Sequence, residues 1–432
     1  SRLMNLIVTP FITLYASVFL LMAGTGLLGT YLPLRLTVDN VPTQVIGLVM
    51  AAYFLGMCIG ALNSHRLIRS VGHIRAFAAF AATTTAVVIL HGLYVSPLLW
   101  SVLRFLAGLS TIGLYTVIES WLNECTAPSF RGRVMSVYMI VSYFGMGASQ
   151  YLLNFGPIQD TRMFFIVSLL LVLCIVPVAV TRSIHPELPT FERFDLRRLF
   201  RKAPVAMLGC FLAGLLNSAI YAIVPVFCHL VGLSVAQLST VMSVTIFGGL
   251  VLQWPTGALS DRFDRTYMLA LLCLAVAITA TLIVFIAEFA FPLFLVSMIL
   301  FGGLAFTIYP VSVARAHDLF EQADIVPVSS VLLLCYCIGA TIGPVAASVT
   351  ISATGTGYGF FSYCAAVSLG AAAIIFYLRR KEMITVVAAE DHSAFVAMKG
   401  TSPAAVLIDP RRDDNNDDPA AAEGQEPPAS NV

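Results

Sequence analysis

WPTGALSDRFDR, residues 254–265, closes a long apolar run with a glycine turn and alternating charges. A chain leaving a membrane needs such an element to fasten one helix pair to the next. A weaker copy stands in the first half: Gly60, Ala61 and Leu62, followed by Arg66, Arg69, Gly72 and Arg75. Two related halves are the first expectation.

Composition agrees with membrane residence. Hydrophobic residues make up 59% of the 432-residue chain and charged residues 11%, about half the charge of a typical soluble domain. A hydrocarbon layer about 30 Å thick needs about 20 apolar residues in helical form. Twelve such spans are readable between residues 10 and 378, and none alternates as a barrel strand would. The expected fold is an all-α membrane protein of about twelve transmembrane helices in two pseudo-symmetric six-helix bundles. With the N-terminus in the cytoplasm, Arg66, Arg69, Arg75, Arg131, Arg133, Arg262, Arg265, Arg315 and the cluster Arg193 to Lys202 fall on one side. The opposite connections hold little beyond Arg35 and Arg162, so the positive-inside rule puts both termini in the cytoplasm. A multi-pass protein of the cell membrane is expected, the inner membrane in a bacterium, embedded in the lipid bilayer. The first apolar run is too long for a cleavable signal and lacks a small-residue cleavage site.

Several chemistries are set aside. Cys58, Cys174, Cys210, Cys273, Cys335, Cys337 and Cys364 lie in apolar spans without metal-ligand neighbours and read as packing residues. A net charge of +1 speaks against a nucleic-acid partner. No phosphate-binding loop or nucleophile–base–acid arrangement stands out, which argues against a membrane enzyme or an ATP-driven pump, and no cofactor is expected.

Landmarks recur at an offset of about 192 residues: Pro33 with Pro225, Thr116 with Thr307, and Tyr143 with Tyr336. A constant offset indicates a duplicated six-helix unit. The expected division is a first bundle at 1–183, a cytoplasmic linker at 184–203 with an amphipathic surface helix, a second bundle at 204–380, and a disordered cytoplasmic tail at 381–432.

The turn after the eighth span has a physical reading. Gly257 allows close helix approach, Asp261 can cap the next helix or pair with an arginine, and Arg262 and Arg265 can meet carboxylates or carbonyls of the other bundle. GALSDRFDR is similar to the signature loop of the major facilitator superfamily, and the six-plus-six layout agrees over about residues 10–380. The resemblance implies that Asp261 and Arg262 belong to a cytoplasmic gate, with Asp264 where a glycine is usual. Glu124 and, after a six-residue gap, Arg131-Gly132 look like a further family motif. Arg104 followed by Gly108 is similar to the fourth-helix arginine motif associated with proton coupling. Many drug antiporters carry a glycine-proline motif in the fifth helix; here Gly343-Pro344 falls in the eleventh, which argues against a multidrug exporter. The wording ESWL (119–122), QWPTGALSDR and FTIYPV resembles the poorly characterised YcaD-like bacterial branch. The resemblance also implies a monomer.

Arg104 and Glu119 share the fourth span, about 22 Å apart along the helix and pointing within about 60° of each other. A charge near a span's centre costs about 2.5–3.5 kcal/mol on insertion scales and usually faces a cavity. Arg104 reads as an anchor for an anionic substrate, a modulator of a proton site, or a structural arginine bonded to helix carbonyls. Glu119 reads as a proton-coupling carboxyl or as a gate partner of the Arg66 and Arg75 region. Asn217, Tyr221, Gln150, Tyr31, Tyr115 and Tyr309 are cavity candidates, with interhelical bonding or aromatic packing as the alternative for each. The function expected is secondary transport of a small organic solute by alternating access, coupled to protons, an organic anion being favoured by Arg104. The alternatives are an uncoupled facilitator and a transporter-like receptor or scaffold.

Overall fold

The computed structural model describes residues 11–181, 194–381, 383–403 and 409–411. Its helices, in chain order, are α1 (Ile12–Val38), α2 (Thr43–Val71), α3 (His73–Leu93), α4 (Pro97–Glu124), α5 (Arg131–Ser149), α6 (Arg162–Leu173, carried on by Ile175–Ala179), the short α7 (Leu196–Lys202), α8 (Pro204–Leu230), α9 (Val235–Arg262), α10 (Arg265–Ile286), α11 (Phe291–His317), α12 (Ile325–Thr354) and α13 (Gly359–Arg380). Among the described residues eleven helices are long and apolar enough to cross a bilayer. α5 is the twelfth crossing by position, and a 3-10 turn over Gln150–Phe155 lengthens it. It falls short in hydropathy because it begins with Arg131 and Arg133 and carries small and polar residues toward its neighbours.

Local chemistry sets several ends. Pro97 and Pro204 occupy first helical turns, where the missing N–H is no loss. Ser234 and Gln237 form a reciprocal capping box on α9. Gly355, with φ of 68°, ends α12 in the left-handed region.

The two halves pack alike. In the first, α1 lies against α5, α2 against α4, and α3 against α6; in the second, α8 against α12, α9 against α11, and α10 against α13. The bundles meet where α2 touches α12, α5 touches α9, and α1 touches α8. Each repeated landmark falls on a matching pair of helices: Pro33 and Pro225 on α1 and α8, Thr116 and Thr307 on α4 and α11, Tyr143 and Tyr336 on α5 and α12. One packing device is duplicated too. Gly108 of α4 lies on the Tyr53 carbonyl of α2 and Gly56 of α2 on the Phe105 carbonyl of α4; Gly302 and Gly248 repeat this with Thr245 and Ile299 between α11 and α9. A side chain there would fall onto backbone, which cannot turn aside as a rotamer can. Gly108→Val is expected to lower the detergent melting temperature, overpacking costing about 1–3 kcal/mol or more; a melting temperature equal to wild type would show that α2 and α4 do not pack this closely.

Part of the expected linker, 182–193, lies outside the described residues. Beyond it α7 is capped by Asp195, buries Leu199 and turns Leu196 and Phe200 outward. The expectation of a disordered tail needs correction for 383–403 and 409–411. Val396, Ala397, Met398 and Lys399 are buried, because a cleft between the bundles supplies the partners that this segment cannot supply itself. The acidic stretch 412–432 lies outside the described residues.

Candidate functional site

A central cavity with about 90 Å³ of free interior space lies between the bundles. Its walls come from α1, α2, α4, α5, α8, α11 and α12, with Lys399, Gly400 and Thr401 of the tail completing them. Aromatic rings dominate the lining: Tyr53, Phe54, Tyr115, Tyr143, Tyr221, Phe306 and Tyr336. Such a surface suits an organic solute with apolar area, oriented by few polar groups.

Arg104 is the cation that the spanning helices bring to that wall. It is 3% exposed, and its guanidinium lies over the Tyr53 ring at 4.0 Å. It makes no hydrogen bond or ion pair with the described residues, and its Nε is buried without a partner. The carbonyl-bonded structural arginine allowed by sequence is therefore not what the geometry shows. A buried cation held only by a ring face keeps its donors for something else.

Glu119 sits 15 residues further along α4 and is fully buried. Tyr138 of α5 donates its hydroxyl to Glu119 Oε1 at 2.7 Å. Close by, the Lys399 ammonium lies 4.7 Å from the Tyr115 ring centre and 4.8 Å from that of Tyr138, in electrostatic reach of Glu119. It also contacts Ser142 Oγ at 3.4 Å and Met22 Sδ at 3.6 Å.

The remaining cavity candidates divide. Asn217, Tyr221 and Tyr115 line the cavity. Gln150 does not: it accepts from Thr30 at 2.6 Å and donates to the Met146 and Gly26 carbonyls, tying α1 to α5. Tyr31 also turns away, its hydroxyl meeting the Ile158 carbonyl at 2.6 Å and accepting from Arg35 at 3.0 Å, which fastens α1 to the loop before α6. Tyr309 packs edge-on against Tyr336 and lines a smaller pocket with Met398 and Lys399. For Gln150 and Tyr31 the polar group found a protein partner before it reached the cavity.

At the end of the bundle that carries most arginines, the gate residues turn toward the tail. Arg265, not Arg262, is the buried arginine: it meets both oxygens of Asp318 at 2.6 and 2.7 Å, pairs with Asp261, and donates to the Ser393 carbonyl at 3.0 Å. Arg262 is exposed. Asp261 accepts from the Phe395 amide at 3.2 Å, and Asp318 from the Ser393 amide at 2.7 Å. Gly257 makes room for the Phe395 ring, so the close approach expected there is to the tail and not to a helix. Capping of α10 falls to Asp264, which accepts from Thr266 and pairs with Arg379 at 2.8 Å. Partial burial would raise the Asp264 pKa, but the Thr266 and Arg379 bonds hold its carboxyl below the usual range. Glu124 is exposed at the end of α4, and Arg131 is buried at the start of α5.

The other end is drawn together. Gly47 of α2 lies so near α12 that an added Cβ would come 2.7 Å from the Pro344 carbonyl oxygen. Asn154 reaches Ser239 of α9 at 3.4 Å, and deeper in, Gln253 of α9 donates to the Tyr143 hydroxyl at 3.0 Å. The bundles thus touch at the end away from the arginines and admit the tail at the end that carries them.

A family profile described as the Major Facilitator Superfamily matches residues 14–324 and, beginning one six-helix unit later, 207–410. The chain belongs to the major facilitator superfamily. Among its relatives in the superfamily, the uncharacterized MFS-type transporter YcaD of Escherichia fergusonii is 28% identical over 343 residues, covering 79% of this chain and 88% of its own. An uncharacterized MFS-type transporter of Enterobacter is 29% identical over 337 residues, covering 78% and 87%. The superfamily fold is seen again in solved structures. The nucleoside transporter NupG superposes with a TM-score of 0.69 at 14% identity, covering 86% of this chain and 98% of its own. A D-xylose-proton symporter superposes with a TM-score of 0.66 at 15% identity, covering 84% and 96%. The fold and the transporter class of the superfamily therefore apply to this multi-pass membrane chain.

Sequence reasoning missed Tyr53, Tyr138, Asp318 and Lys399. Asp318 was within reach, since it stands at the end of α11 as Glu124 stands at the end of α4, at nearly the offset of the other landmarks. Nothing in the local sequence marks Lys399.

Proposed function

We propose that this chain is a secondary transporter that moves a small organic solute by exposing its central cavity to the two membrane faces in turn, with Arg104 holding an anionic group and Glu119 exchanging a proton. The observation that carries this reading is the buried Arg104 guanidinium, which faces the cavity and has no carboxylate among the described residues. The burial cost of such a charge is recovered when an anion takes the free donors. Glu119 supports coupling, being the one carboxylate of the described spanning helices that lies away from a helix end. The positive-inside rule puts the arginine-rich end in the cytoplasm, with both termini there, in a bacterial inner membrane. The cytoplasmic gate comprises Asp261, Arg265 and Gly257, with Arg262, Glu124 and Arg131 around it.

The test uses the purified chain in sealed liposomes containing a pH-sensitive dye. Adding an accepted organic anion outside is expected to change the internal pH, and an imposed pH gradient to drive its accumulation. Exchange of labelled for unlabelled solute without any pH change would remove the coupling and leave an uncoupled facilitator. No exchange of any solute in a broad panel of organic anions would remove the Arg104 assignment.

A further inference from the structure

Residues 392–403 cross from one bundle to the other. Their fastenings belong to the second: Asp261, Arg265 and Asp318 hold the backbone of Ser393 and Phe395, and the Phe395 ring rests on Gly257. The side chain they deliver ends in the first. Around the Lys399 ammonium stand Met22 of α1, Tyr115 and Glu119 of α4, and Tyr138 and Ser142 of α5. Three spanning helices supply those groups, and the tail supplies the occupant.

The pocket has the chemistry of a cation receptor. Two tyrosine rings offer negative faces, a buried carboxylate offers charge, and a hydroxyl and a thioether accept. Tyr138 donates to Glu119 Oε1 at 2.7 Å and so holds the carboxylate in place within this group. We propose that Met22, Tyr115, Glu119, Tyr138 and Ser142 form a binding site for a primary alkylammonium group, and that Lys399 fills it as an internal ligand in this conformation. The fit is to –NH3⁺, which has three donors on a slim stem; a quaternary ammonium has no N–H to give Ser142 or Glu119. Because Lys399 also lines the central cavity, a solute bearing such a group meets the tail as its competitor. A tethered ligand acts at an effective concentration of about millimolar, so the free group competes in that range. That the pocket belongs to a solute route rests on the transporter reading above; its selectivity does not.

The experiment uses the full chain in detergent, with n-butylammonium, the end of a lysine side chain, as probe. In Lys399→Ala, millimolar n-butylammonium is expected to raise the melting temperature in a saturable way. Wild type should need at least about tenfold more. Equimolar n-butanol and tetramethylammonium should do nothing, and the double variant Lys399→Ala/Glu119→Gln should not respond. An equal response of wild type and Lys399→Ala, or a response kept in the double variant or given by n-butanol, overturns the site. Should Lys399→Ala fail to fold, wild type alone decides the matter. Chymotryptic cleavage after Phe395 should accelerate several-fold with n-butylammonium and not with tetramethylammonium; an unchanged rate overturns the proposal. A chain that carries no solute in liposomes yet answers n-butylammonium as described would end the transport reading and keep the site.

Discussion

Arg104→Met is expected to weaken solute binding in the central cavity by about one to two orders of magnitude while the protein still folds. Methionine matches the length of the arginine stem and packs among apolar residues, so the wall closes without a void. What disappears is a guanidinium that no carboxylate of the described residues neutralises. Replacing a buried charge by an apolar group of similar volume is often neutral or stabilising, and the melting temperature should stay or rise. The solute loses its charge-assisted hydrogen bonds, worth about 1.5–3 kcal/mol, so affinity should fall about 10- to 150-fold. Arg104→Lys should fall between, since an ammonium keeps the charge but loses the flat stacking on Tyr53 seen at 4.0 Å. Exchange of labelled solute across liposomes, measured beside the melting curve, separates the effects. Wild-type exchange in Arg104→Met would return Arg104 to a packing role.

Glu119→Gln is expected to uncouple solute movement from protons without stopping it. Glutamine keeps the shape and still accepts from Tyr138 through its carbonyl, so the join between α4 and α5 survives. It cannot take up or release a proton. With one proton per solute, a pH difference of one unit supports a concentration ratio of about ten, equivalent to about 1.4 kcal/mol. That ratio should collapse to about one in the variant, while downhill exchange continues. Accumulation equal to wild type would exclude Glu119 from the coupling step.

The architecture was legible because a duplicated unit keeps its register. Spans can be placed by length alone, and the recurrence of Pro33 at Pro225 and Tyr143 at Tyr336 pairs them helix by helix. Side-chain destinations were less legible. A polar residue inside a span must find a partner, but its neighbours in sequence do not say whether that partner is another helix or the cavity. Gln150 met Thr30 and Tyr31 met a loop carbonyl, whereas Asn217 and Tyr221 reached the lining. At the gate, helix geometry decided between two arginines. Arg265 lies four residues beyond Asp261 and turns inward to Asp318, while Arg262 ends α9 and faces outward. The tail was misread for a different physical reason. Low apolar content shows that a segment cannot build its own core, not that it cannot enter one built by others. The short run Ala394 to Met398 is too small to fold alone and large enough to occupy a cleft.

The modest hydropathy of α5 bears on how the chain is made. During synthesis each crossing is weighed for partition between water and lipid, and arginines near a segment's start with polar residues along it weaken that preference. α5 brings Arg131, Arg133, Ser136, Ser142 and Ser149 to that step, yet in the finished molecule its faces rest on α1 and α9. α1 has by then been translated and α9 has not. Retention of α5 in the lipid thus leans first on its earlier neighbour, and α9 completes its surroundings only after the second half has emerged from the ribosome.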